Sequence, residues 1–216
     1  MADLQAAYEW AVNTCNMANP YALYTQNTDS TKGPTRYGGI DSEGNVYYDC
    51  SSFISAALTQ GGFFSSNPWF ATSNMRTYLS KAGFTKVSMS DTLKAGDICW
   101  KSGHTEMIYA VNSDNKILTM GAHTAKAAKA NQVSIGSSRG ERPYIIASSR
   151  WTEIYRFTGQ EVDPENPDTP FTPVDPEPDI PTTPVNPSDP MINDPGDLYH
   201  PMSTIVMLKM LGVIHE

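Results

Sequence analysis

Cysteine is scarce in this 216-residue chain: only Cys15, Cys50 and Cys99 occur, and no two are close in sequence. An odd number without CxxC spacing excludes a disulfide framework and argues against a cysteine-based zinc site. Apolar runs are short, and none approaches the ~20 residues that a membrane span needs. The start of the chain, MADLQAAYEWAV, has neither a basic opening nor a long apolar run, so no secretory signal is expected and synthesis as a cytoplasmic product is. No glycine-rich phosphate loop of the GxGxxG or Walker type occurs, which removes the sequence ground for a nucleotide site. Positive charge is missing from residues 161–197, which hold 10 acids and no Lys or Arg, whereas residues 1–160 hold 12 acids and 14 Lys or Arg. The net charge of -8 therefore belongs to the C-terminal stretch. The remainder is mildly basic but lacks the dense Lys/Arg runs of a nucleic-acid binder.

What is present divides the chain into three parts. Residues 1–158 have the composition of one globular domain. Residues 159–201 form an acidic, proline-rich linker: 12 of the 16 prolines lie in 161–201, a density that favours extended polyproline conformation and cannot bury a core. Residues 202–216 are a short, mostly apolar tail, too short to fold alone; it reads as a remnant or as the start of a further module.

Within the first part, apolar positions Leu4, Ala7, Tyr8, Ala11 and Val12 predict a helix over 2–17. Residues 20–48, rich in Gly, Asn, Asp and Tyr, predict a long loop with a short hairpin. Cys50, Phe53, Ile54, Ala57 and Leu58 follow an i, i+3, i+4, i+7, i+8 pattern, so a helix opens at Cys50, with Asp49 at its start and Gly61-Gly62 as its stop. A third helix is expected over 71–82. The pattern then turns to strands at 97–100, 105–111, 116–120 and 153–157. Helices first and an antiparallel meander after them make an α+β fold.

Cys50 falls in the first helical turn, where unpaired N–H groups and the helix dipole favour a thiolate and can stabilise an oxyanion. The alternative is a small apolar residue on the buried face. His104 opens one predicted strand and His123 follows the next, so antiparallel pairing can bring their ends together. Thiol catalysis needs such a set: a nucleophile, a base, and a group that orients the base. Glu106, two residues after His104, shares its strand face and reads either as a binder of a substrate amine or as a solvated charge. Asp97 reads as a turn residue. A zinc site built from Cys50, Cys99, His104 and His123 lacks local ligand spacing.

The run Asp49-Cys50-Ser51-Ser52, then Ala95-Gly96-Asp97-Ile98, Gly103-His104-Thr105-Glu106 and Gly121-Ala122-His123, resembles the NlpC/P60 superfamily of papain-like cysteine hydrolases. The likeness is nearest to the peptidoglycan amidase branch found in phage endolysins, and it covers about residues 1–158. The resemblance implies a papain-like fold, with N-terminal helices packed on an antiparallel sheet, and Cys50 as nucleophile, His104 as base and His123 as orienting residue. It implies that Tyr21, with Tyr24 as the competing choice, lines the oxyanion site beside Asp49 and Ser51. The implied substrate is Gram-positive peptidoglycan, met outside the membrane after release, with no metal or organic cofactor. The implied bond is the N-acetylmuramoyl–L-alanine amide. The alternatives are a D-isoglutamyl–diamino acid endopeptidase, whose relatives commonly bind the stem amine through an acid near the Cys, an acyltransferase, or a wall-binding module without catalysis. The tail would then belong to a wall-binding or oligomerising module.

Overall fold

The computed structural model describes residues 2–124, 132–136, 144–159 and 162. They belong to the first of two compact units, Met1–Thr172; the second, Pro173–Glu216, lies outside the described residues, as do most of the expected linker and the whole expected tail.

Helix α1 (Leu4–Cys15) starts where the Asp3 carboxylate accepts the Ala6 N–H, and it buries the predicted apolar stripe. Residues 20–48 hold more order than their composition predicts. Strands β1 (Ala22–Tyr24), β2 (Tyr37–Ile40) and β3 (Val46–Tyr48) make a small mixed sheet ordered β1-β3-β2, in which β1 runs parallel to β3 and β2 antiparallel to it. The expected hairpin is β2–β3; β1 was not expected, because three residues are too few to display an alternation. Helix α2 (Cys50–Gln60) follows directly. Helix α3 (Met75–Lys81) is shorter than its pattern, because Asn74 turns its amide oxygen back to the Ala71 N–H and holds 71–74 as a turn.

Six strands complete the domain: β4 (Phe84–Val87), β5 (Ile98–Lys101), β6 (His104–Val111), β7 (Ile117–Ala122), β8 (Val133–Ile135) and β9 (Glu153–Phe157). The sheet is antiparallel with the order β4-β9-β5-β6-β7-β8: β5 to β7 form the expected meander, β8 extends it, β9 inserts between β4 and β5, and neither β4 nor β8 was expected. Three helices packed against a six-stranded antiparallel sheet, beside a small mixed sheet, make the fold α+β.

The two sheet faces are different. Ile98, Met107, Met120 and Ala122 join α1 and α2 in the main core, with Phe53, Ile54 and Leu58 fully buried between them. In the β5–β6 register, Cys99 stands opposite Glu106 and Lys101 opposite His104, so these four share the other face. That face carries a second cluster of Leu93, Cys99, Ile108, Ile117, Trp151 and Ile154. Among the described residues no helix is long and apolar enough to cross a membrane.

Candidate active site

Asp49 is the N-cap of α2. Its carboxylate accepts the Ser52 N–H at 2.7 Å and the Ser51 hydroxyl at 3.0 Å, while the Ser52 hydroxyl accepts the Asp49 N–H at 2.9 Å. This reciprocal box fixes the first helical turn, and with it the position of Cys50. Arg36, the residue before β2, donates to the other Asp49 oxygen and to the Ser51 hydroxyl. Its guanidinium also lies 4.6 Å from the centre of the Tyr37 ring. The side chains of Asp49 and Ser51 are thus occupied in holding the helix start.

The Cys50 sulfur meets two backbone N–H groups, those of Ser51 and Thr105. The ladder explains why Thr105 has one to give. Ile108 bonds to Gly96 and Asp97 on the β5 side, so the alternate residues Met107 and Thr105 turn theirs toward β7. The β6–β7 register begins at Met107↔Met120, which leaves Thr105 without a β7 partner, and the sulfur occupies that place. The nucleophile candidate therefore lies against β6, one residue from His104.

The expectation of a resting thiolate does not hold. Burial, and then the Asp49 charge, push the Cys50 thiol up to about 11, outweighing the two N–H groups that favour the anion. Cys15 and Cys99 are wholly buried, and burial raises both thiols further. Iodoacetamide is accordingly expected to modify Cys50 first, at a rate that climbs about tenfold per pH unit above neutrality. A rate independent of pH between about 7 and 9 would reveal a preformed thiolate.

His104, the first residue of β6, is joined to Glu106 by a 2.7 Å hydrogen bond between Nε2 and Oε1. An ionised carboxylate only accepts, so Nε2 is the donor in this bond and Nδ1 is the ring nitrogen left to act as acceptor in the neutral tautomer. Glu106 is 0% exposed, which removes the solvated-charge reading. The same Oε1 takes His123 Nδ1 at 3.1 Å and Arg150 Nη2 at 3.0 Å, and Oε2 accepts the Thr119 hydroxyl. Burial acts to raise this carboxyl, but the bonds from His104 and His123 prevail and hold it far below the usual range. Trp151 stacks on the His104 ring at 5.5 Å between centroids.

His123, 7% exposed, reaches Glu106 and not His104: the two imidazole centroids are 6.1 Å apart, with the carboxylate between them. Its Nε2 is buried and has no hydrogen-bond partner among the described residues. The group that orients His104 is therefore Glu106, with His123 one step behind. Arg150 and Trp151 were not anticipated; no local motif marks them, and they reach the site from a 3₁₀ turn (Ala147–Ser149) far along the chain.

The two tyrosines part company. Tyr21 precedes β1, with its N–H donated to the Asn45 side chain. Tyr24 ends β1 beside Tyr48, and its phenol, raised first by burial, is raised further by Cys50 and Asp49, so it stands in their electrostatic reach. Asp97 is buried and accepts two bonds from Arg156.

Ligand atoms of His104, Glu106 and His123 lie within 4.8 Å of one another, a set that neither Cys50 nor Cys99 joins. A cation there would compete with the Arg150 guanidinium for an oxygen that already accepts three N–H groups. The donors fit a hydrogen-bonded carboxylate better than a metal centre.

No curated protein matches the chain. Residues 24–118, which include Tyr24, Cys50, His104 and Glu106 but stop short of His123 and Arg150, match the model of a family described as bacteriophage peptidoglycan hydrolase.

Proposed function

We propose that the chain is a peptidoglycan hydrolase of the cysteine type, related to the NlpC/P60 superfamily, acting on the bacterial wall as a phage lytic enzyme. The observation that carries the reading is the thiol of Cys50, seated against Thr105 of β6, the chain neighbour of a histidine that is hydrogen-bonded to a buried carboxylate. His104 Nδ1 takes the thiol proton as sulfur attacks the amide carbonyl. Glu106 holds the tautomer and stabilises the imidazolium that forms. Tyr24, a neutral phenol within electrostatic reach of the sulfur, is the proposed donor toward the developing oxyanion. His104 then returns the proton to the departing amine, and water, activated by the same base, hydrolyses the thioester.

The bond favoured is the amide between N-acetylmuramic acid and L-alanine. An endopeptidase of this type needs an acid free to grip the stem amine, and Glu106, the candidate, is enclosed and fully engaged. In an amidase the lactyl carbonyl becomes the thioester and the stem leaves with a free L-alanine amine. Mass spectrometry of digested Gram-positive sacculi is expected to find free stem peptides beginning with L-alanine. Disaccharide still joined to L-alanine–D-isoglutamine, with a new amine on the diamino acid, would assign the endopeptidase instead.

A further inference from the structure

The second face of the sheet contains a charge that the hydrolytic steps do not use. Arg150 follows the 3₁₀ turn and donates from Nη2 to Glu106 Oε1 at 3.0 Å, the oxygen that also meets His104 Nε2 at 2.7 Å and His123 Nδ1 at 3.1 Å. Its side chain is mostly enclosed, and its guanidinium lies 5.2 Å from the centre of the Trp151 ring that stacks on His104. One segment thus supplies both the counter-charge for the carboxylate and the surface against which the imidazole rests.

We propose that Arg150 is a positioning residue for the reaction: by sharing one carboxylate oxygen with His104, it sets the pH at which His104 stands ready as a base. Without that cation, Glu106 would present a full, buried negative charge to the imidazole and favour its protonated form. Because both bonds end on one oxygen, the guanidinium and the imidazole are within about 6 Å, the range in which a neighbouring charge moves a titration by one unit or more. Other polar or charged groups face His104 as well. Lys101 is opposite on β5, His123 follows β7, and Cys50 comes from α2 with Asp49 behind it. Cys15 of α1 is within the field of Glu106. Of these, only His123 joins Arg150 and His104 on the same Glu106 oxygen among the described residues.

The inference rests on the cysteine-hydrolase reading, so its test uses one readout that needs no wall substrate. Nuclear magnetic resonance of the full chain carrying Cys50→Ala follows the His104 imidazole through its titration, with Arg150 intact, Arg150→Gln and Arg150→Lys. In parallel, the three forms with Cys50 intact are assayed for lysis of sacculi across pH. Arg150→Gln is expected to raise the His104 midpoint, and with it the acid limb of lysis, by about one pH unit or more. Arg150→Lys, which keeps the charge, is expected to return both to the native position even if the rate falls. A midpoint unmoved by Arg150→Gln, or displaced upward by Arg150→Lys, would overturn the proposal and reduce Arg150 to a packing residue. Should the Gln form fail to fold, the Lys form decides by the same criterion. Absence of lysis by the native chain, with the titrations as expected, would count against the hydrolase reading alone.

Discussion

Replacing Cys50 by Ala is expected to abolish lysis of Gram-positive sacculi while leaving the domain folded. In the proposed cluster of Cys50, His104 and Glu106 the sulfur is the strongest nucleophile toward an acyl carbon, and the side chains of Ser51 and Ser52 are engaged elsewhere. The Ser51 hydroxyl donates to Asp49 and accepts from Arg36, and Ser52 closes the capping box. Stability should fall by only about 1 kcal/mol, since one atom leaves a position at the helix start, 9% exposed, and the cap is untouched. Thermal unfolding measured beside the lysis assay separates the two effects. Residual activity near the native level would remove Cys50 from the chemistry, and a collapse of the unfolding temperature would make it a core residue.

Cys50 was legible because helix periodicity and a capping residue converge on it within 12 residues of sequence. The strand bearing His104 and Glu106 was legible for a local reason too: the eight residues His104–Val111 are mostly β-branched, aromatic and aliphatic and are bounded by turn residues. What the sequence could not convey was burial. An acid two residues after a histidine shares its face in any strand, but whether that face meets water depends on what covers it. Here the cover is Arg150 and Trp151, supplied 44 and 45 residues after Glu106 by a turn with no pattern of its own. The sign of the thiol's shift failed for a related reason. A helix start argues for a thiolate, but the depth of the sulfur and the enforced proximity of Asp49 decide the balance, and both are tertiary. Which tyrosine lies within the field of Cys50 turned on β1, a three-residue strand whose parallel pairing with β3 sets Tyr24 beside Tyr48. Nothing local separates Tyr24 from Tyr21.

These features give the site two charge couples, Arg36 with Asp49 at the proposed nucleophile and Arg150 with Glu106 at the proposed base, each with a buried acid and a partly buried arginine. Each couple is costly to break, most of all by removing the arginine, because the buried carboxylate is then stranded away from water.

The largest combined effect is expected at Glu106. Glu106→Gln keeps the shape but loses the charge, leaving His104 free to take the other tautomer and Arg150 without its anion. Loss of orientation of a catalytic base costs on the order of 10²–10⁴-fold in rate, so wall lysis should fall by that factor. His123→Ala, which removes only one donor to the carboxylate, should fall less. For Glu106→Gln stability should drop by up to about 3–5 kcal/mol, as for removal of one partner from a buried pair. The pH dependence has a definite sign. The Glu106 carboxyl titrates below its ordinary value of 4.5 in the folded state, so its contribution to stability is complete above that pH and is lost as the medium becomes more acidic. Native protein should therefore lose stability steeply below about pH 4.5, and Glu106→Gln should be less stable at neutral pH but show a shallower acid slope. Denaturant unfolding at several acid pH values tests this. Parallel slopes in the two proteins would mean that other carboxyls govern acid unfolding, and lysis within a few-fold of native would mean that His104 takes its orientation from somewhere other than Glu106.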